Sequence, residues 1–184
     1  MTATATRSIP TQGTWTPDAA HTVVGFVARH LVVTKVRGQF EKFTGSVTFD
    51  GDPVNSKWQL SVDVASVNSG QERRDGHLRS ADFFDAEQYP NMEFVSTAVE
   101  QLGDSELKVT GDLTIKDITR PVELTVDLGG VTKGPMGEAL PFSAGTEINR
   151  EEWGLNWNVA LEQGGWLVSP TIRIEIDGEL QIAS

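Results

Sequence analysis

The chain has 184 residues, enough for one domain with a real core or an enclosed cavity. Its 26 Asp and Glu against 15 Lys and Arg give a net charge of −11, which repels phosphate backbones and argues against a nucleic-acid partner. With no cysteine there is no disulfide framework and no Cys-ligated metal, and no apolar run approaches the roughly 18 residues of a membrane-spanning helix.

Residues 1–14 are small and polar, without an apolar pattern to dock, and read as a flexible tail ahead of a domain at 15–184. They also lack the apolar stretch of a signal peptide, so a cytoplasmic location is expected. From there the chain alternates. Val24, Phe26, Ala28 and His30 share one face of a first run, although Val27 blurs it. Phe43, Gly45, Val47 and Phe49 follow, ending at the turn Asp50-Gly51-Asp52-Pro53. Trp58, Leu60, Val62 and Val64 make the next run. Gln71 to Asp85 then breaks the pattern, packing charges, His77 and the pair Phe83-Phe84 into a segment that reads as a short helix and turn sealing one end. Alternation resumes with Met92, Phe94 and Ser96, then Leu107, Val109, Gly111, Leu113 and Ile115, then Val122, Leu124, Val126 and Leu128. A Gly- and Pro-rich loop, 129–141, leads into Phe142, Ala144, Thr146 and Ile148, and the last run is Ile172, Ile174 and Ile176.

About eight such runs without a long helical period predict an all-antiparallel β architecture, barrel or sandwich. A closed sheet of that size has an interior that side chains just fill, or that holds one slender ligand. Ala28, Gly45, Gly111 and Ala144 fall on inward faces, where small residues either leave room or mark bulges and corners.

Chemistry is sparse. His21, His30 and His77 match no metal-ligand spacing and read as hydrogen-bonded structural histidines, so no metal is expected. Arg74-Asp75, and Arg79 with Asp82 or Asp85, suggest ion pairs that pin the excursion; the rival reading sets Arg74 or Arg79 against a ligand headgroup. There is no Gly-X-Ser-X-Gly elbow, and Glu151-Glu152 reads as a solvated turn, so an enzyme is not expected. The tryptophans at 15, 58, 153, 157 and 166 suit either core or pocket, with Trp153 to Trp157 near Gly164-Gly165 as a candidate lid.

Several segments in order resemble the YceI-like family. They are Asp18, His21-Thr22 and Phe26; Arg29-His30-Leu31; Val36-Arg37-Gly38-Gln39-Phe40 with Phe43-Thr44-Gly45; and Arg74-Asp75-Gly76-His77-Leu78-Arg79-Ser80 through Phe83-Phe84-Asp85. Tyr89-Pro90, Gly111-Asp112-Leu113-Thr114-Ile115 and Asn149-Arg150 with Trp153-Gly154-Leu155 continue the pattern. Lys116-Asp117 stands where many relatives carry a glycine turn.

The resemblance implies a lipocalin-like, eight-stranded antiparallel barrel with a short helical excursion near 71–85, whose apolar tunnel binds a polyisoprenoid or another long-chain lipid. No other cofactor is expected. Combined with strand parity, it makes Phe26, Ala28, His30, Phe43, Val62, Val64, Leu78, Phe83, Phe84, Phe94, Gly111, Leu113, Val126, Phe142, Ala144 and Trp157 the expected lining. Arg74, Asp75, His77 and Arg79 are expected as headgroup contacts or structural ion pairs. The expected role is non-catalytic binding, storage or transport of the lipid. The alternatives are an enzyme acting on an isoprenoid or quinone-like substrate, and a ligand-free stress-linked interaction protein. A homodimer is expected through Val32, Val33 and the Trp153 to Trp157 segment.

Overall fold

The computed structural model describes residues 9–31, 33–134 and 137–183. Its strands are β1 (Gln12–Pro17), β2 (Val23–His30), β3 (Thr34–Phe40), β4 (Phe43–Asp50), β5 (Lys57–Asp63), β6 (Val67–Asn68), β7 (Asn91–Gln101), β8 (Glu106–Ile115), β9 (Ile118–Leu128), β10 (Thr132–Gly134), β11 (Gly137–Asn149) and β12 (Val168–Ile182). The single α-helix among the described residues, α1 (Glu72–Arg79), lies between β6 and β7.

All pairings are antiparallel, and they close on themselves. β1 and β2 run end to end along β12, which meets β1 at residues 180–182 and β2 at 168–177. β3 and β4 run the same way along β2 and β1. The circuit continues through β5, β7, β8, β9 and β11, and β11 returns to β12 from Ala139↔Gln181 to Asn149↔Thr171. With β1–β2 and β3–β4 each counted as one wall strand, this is the eight-stranded barrel expected from the alternation.

The domain starts earlier than the side-chain pattern suggests. Gln12, Gly13 and Thr14 pair with Asp50, Phe49 and Thr48, and Ile9 packs on the core, so residues 9–14 are not a tail. Backbone pairing needs no apolar alternation, which is why the sequence hides it. Residues 1–8 of the expected tail lie outside the described residues.

The two ends of the barrel differ. At the end carrying the 50–57, 102–105 and 129–131 connections, Trp15, Phe49, Leu107, Leu128, Leu140 and Leu180 are each at most 2% exposed and fill the interior. Toward the other end the inward side chains of β2, β11 and β12, such as Phe26, Phe142 and Ile174, are only half-buried.

At that second end the wall parts in two places. β9 meets β11 only over Thr125–Leu128, and β3 has a partner on its far edge only at Gln39 and Phe40, against β6. Each opening is filled by an insert. Beside β3 it is α1 with the following turn. Beside β9 it is a 3-10 turn, Arg150–Trp153, whose Trp153 is 1% exposed and donates its indole N–H to the Leu113 carbonyl at 3.0 Å. The β8–β9 hairpin turns through Lys116 at φ +59°, a left-handed conformation that glycine adopts without strain.

The contrast between filled and hollow ends predicts unequal costs of truncation. Leu140→Ala should lose about 2–5 kcal/mol in denaturant unfolding, and Ile174→Ala clearly less, because Ile174 already borders open space. Equal losses would mean that the interior is packed throughout.

Candidate functional site

The barrel encloses a tunnel of about 900 Å³, toward the upper part of the roughly 300–1,000 Å³ common for small-molecule sites. Phe26, Ala28, His30, Phe43, Val62, Leu78, Phe83, Phe84, Phe94, Leu113, Val126, Phe142, Ala144 and Trp157 all stand in its wall. The strand residues among them converge because the period-2 geometry of strands sends every second side chain inward around the circuit, whereas Leu78, Phe83, Phe84 and Trp157 are brought to the wall by α1, the turn after it and the loop after Trp153.

Two expected wall residues are elsewhere. Val64 leaves β5 for a 3-10 turn, Val64–Ser66, and is buried at 1% exposure behind the wall. The Asp63 side chain accepts from the Ala65 N–H, which caps that turn and ends the strand one residue before parity would place Val64 in the tunnel. Gly111 is covered by Phe94: a Cβ there would lie 2.5 Å from the Phe94 ring and 2.6 Å from the Val95 carbonyl oxygen. A register shift between Ser96 and Ala98 in β7 sits opposite, so Gly111 marks a bulge and seats a ring. Gly38 does the same for Phe26, whose ring tip would be 2.3 Å from an added Cβ. In both places a missing side chain lets a phenyl ring lie against the wall instead of across the lumen. At Gly45 the space is taken by the Gln59 carbonyl oxygen, 2.7 Å from where a Cβ would be. Of the four small inward residues only Ala28 and Ala144 open onto the tunnel.

The expected lining set missed other members. Ile172, Ile174 and Ile176 belong to the wall, and their strict alternation already announced an inward face. Arg150, Leu155, Leu167 and Val168 come from stretches whose inward residues follow no recognisable period; Arg150 and Leu155 were marked only as members of a motif, and Leu167 and Val168 by no signal in the sequence.

The charged residues of the excursion do not form the expected ion pairs. Asp75, 4% exposed, accepts from the Ser69 amide at 2.8 Å and from the Ser69 hydroxyl. Arg74 donates Nε to that hydroxyl and Nη2 to the Ser69 carbonyl, both at 2.7 Å. Ser69 therefore stands between Arg74 and Asp75. Arg79 reaches neither Asp82 nor Asp85; it donates to the carbonyls of Ala65 and Val67 and lies 3.3 Å from Glu72. Helix pitch explains the miss, since Glu72 and Arg79 are two turns apart on one face while Asp82 and Asp85 belong to the turn after the helix. These contacts clamp α1 to β6 and the residues around it. Asp75 and Arg79 are outside the tunnel wall, whereas Arg74 and His77 are in it.

The two inserts meet over this end of the tunnel. The His77 ring stands edge-on to Trp157 at 4.5 Å and to Phe83 at 5.1 Å, and Phe83 is 5.4 Å from Trp157. His77 Nε2 is 2.9 Å from Asp82 Oδ2 on its outer side. Trp153 and Leu155 are buried, so the Trp153 to Trp157 segment is not the exposed patch expected for association. Val33 is exposed and Val32 lies outside the described residues.

The three histidines are dispersed. His30 is in the wall, His77 in the aromatic cluster, and His21 outside the tunnel beside Asp18. The hydrogen bond to Asp18, 2.7 Å long, raises the His21 imidazole above its ordinary value and holds the Asp18 carboxyl below its own. Gln181 and the Ala20 amide complete the hydrogen bonds to Asp18. A carboxylate oxygen of Glu179 lies within 4.8 Å of both groups, and the arrangement is satisfied as a hydrogen-bonded turn closing β1 onto β2.

Comparison with known proteins agrees with this geometry. The YceI-like domain family matches residues 15–180. A UPF0312 protein of Staphylococcus aureus is 37% identical over 172 residues, covering 92% of this chain and 98% of the relative. Among solved structures, Burkholderia cenocepacia BcnA superposes with a TM-score of 0.73 at 27% identity, over 90% of this chain and 99% of its own. A Campylobacter jejuni YceI protein gives 0.71 at 29% identity, over 85% and 90% of the two chains. A polyisoprenoid binding domain from Saccharophagus degradans gives 0.71 over 94% and 99%, but at 14% identity it shares the fold alone.

The Ser69 clamp makes Asp75→Asn a test of the helix's role. Both Ser69 donors meet the same Oδ1, which asparagine keeps, so the change removes the carboxylate charge from these two bonds, and unfolding free energy should fall by about 1–2 kcal/mol while any bound lipid is unchanged. A parental melt with altered lipid content would make the segment a headgroup site instead.

Proposed function

This chain belongs to the YceI-like family, and we propose that its tunnel binds a long isoprenoid or similar amphiphilic lipid for storage or transport, without catalysis. The observation that carries this reading is the continuous apolar wall, built by Phe26, Val62, Phe94, Phe142, Ala144 and Ile174 from five different strands. Each CH₂ of a chain taken from water into such a wall contributes about 0.8 kcal/mol, so the tunnel favours length and apolarity before any polar contact is made. A barrel of the same topology, described as polyisoprenoid binding, supports the choice of ligand class. Binding is favoured over catalysis because the wall's two imidazoles, His30 and His77, stand at its end, and His77 is paired outward with the exposed Asp82.

Mass spectrometry of organic extracts from natively purified protein should find a long apolar lipid, and Ala144→Trp should remove it without lowering the melting temperature. Extracts empty of lipid from both proteins would turn the reading toward the ligand-free interaction protein.

We also propose a homodimer through the rim of the tunnel, where Val33 is 77% and Trp166 59% exposed beside Leu31 and Val159. These side chains sit on two neighbouring loops, joined by the Leu31 N–H to Leu167 carbonyl bond and the Leu167 N–H to Val159 carbonyl bond. Light scattering should give twice the chain mass; a monomer both with and without lipid would exclude the dimer.

A further inference from the structure

The wall of the tunnel contains a buried cation with one donor unused. Arg150 is 3% exposed. Its Nε donates to the Ser169 carbonyl at 3.1 Å, and Nη1 donates to the carbonyls of Leu155 and Trp157. Nη2 is buried and has no hydrogen-bond partner, and among the described residues no carboxylate forms an ion pair with this guanidinium. A buried charge without a counter-charge is costly, and an unmade hydrogen bond adds to that cost. The Phe83 ring lies 6.0 Å from the guanidinium carbon, a contact that offers the cation a π-face but no oxygen.

The other arginines of this end differ. Arg74 is occupied by Ser69, Arg79 by two backbone carbonyls and Glu72, and Arg29 and Arg73 are exposed to water. The position of Arg150 also matters. It follows β11 at the hollow end, opposite the filled end around Leu140 and Leu180, so a chain running into the apolar lumen leaves its head beside the insert that carries Arg150.

We propose that Arg150 anchors the ligand's head: its free Nη2 N–H donates to an anionic oxygen, phosphate or carboxylate, of an amphiphile whose chain lies in the tunnel. This rests on the binding role proposed above and adds the charge of the ligand to it. Because Nη2 is shielded, the head reaches it by turning aside a ring of the cluster formed by His77, Phe83 and Trp157. A phosphate or carboxylate supplies both the acceptor and the missing negative charge, whereas an alcohol supplies only a neutral acceptor.

The test is a chain-matched series on the wild-type protein: geranylgeranyl phosphate, geranylgeranoic acid and geranylgeraniol, with affinity measured by calorimetry. At least one acid should bind about tenfold or more tighter than the alcohol, and comparing the two acids tells phosphate from carboxylate. The preference should persist from about 0.05 to 0.5 M salt, because a buried pair is screened little. Arg150→Lys should lose most of it and Arg73→Ala should keep it; should Arg150→Lys fail to fold, the salt series and Arg73→Ala still decide. Equal affinity for acids and alcohol would overturn the anchor and leave tunnel binding intact. A preference abolished by salt or by Arg73→Ala would move it to the exposed rim and equally overturn the proposal. Absence of binding by all three would instead defeat the binding role on which it rests.

Discussion

A sheet becomes a barrel only if its last strands find each other, and here the seam is β11 against β12, paired from Ala139↔Gln181 to Asn149↔Thr171. Once that seam forms, every second side chain around the circuit must point to a common interior, and strand edges along that circuit are left unpaired only at the two partings of the wall. The tunnel, the filled end and the two inserts all depend on this closure. β12 does more than close the ring, because β1 and β2 divide its other edge between them and so join the start of the chain to its end.

Closure does not decide whether the interior is full. At one end large side chains meet across it, with Leu107, Leu128 and Leu140 wholly buried. Farther along, the same strands carry Ala28 and Ala144, and glycines 38 and 111 let the rings of Phe26 and Phe94 lie flat against the wall. The result is an apolar space that native packing would otherwise have filled. Such space is tolerable because the filled end and the backbone ladders supply the stability that a hollow core cannot.

The hollow end is where the regular pattern fails, and the departures coincide with function-bearing residues. α1 and the Arg150–Trp153 turn fill the two partings of the wall, and the segments that follow them bring Phe83 and Trp157 against each other and against His77 of the helix. The excursion's charges secure this arrangement mainly through Ser69 and backbone carbonyls, with one ion pair of their own between Arg79 and Glu72. A guanidinium offers donors in a fixed fork, which suits several carbonyls at once, and Arg79 and Arg150 both use it that way.

The sequence by itself determined β2, β4, β5, β7, β8, β9, β11 and β12, their inward faces and the interruption at 71–85, but not β1, β3, β6 or β10, because a period of two survives where side chains alternate between core and water. From those faces came most of the wall, Phe26 through Ala144, and motif resemblance supplied the family. It did not reveal β1's first residues, whose pairing is made by backbone, nor the end of β5 before Val64, set by a cap from Asp63. It could not tell whether Gly111 leaves room or seats Phe94, since that is settled by a neighbour across the sheet. Arg150 was legible only as part of a motif. Its burial, its three carbonyl partners and its unused N–H arise from bringing residues 150, 155, 157 and 169 together, which only tertiary structure does.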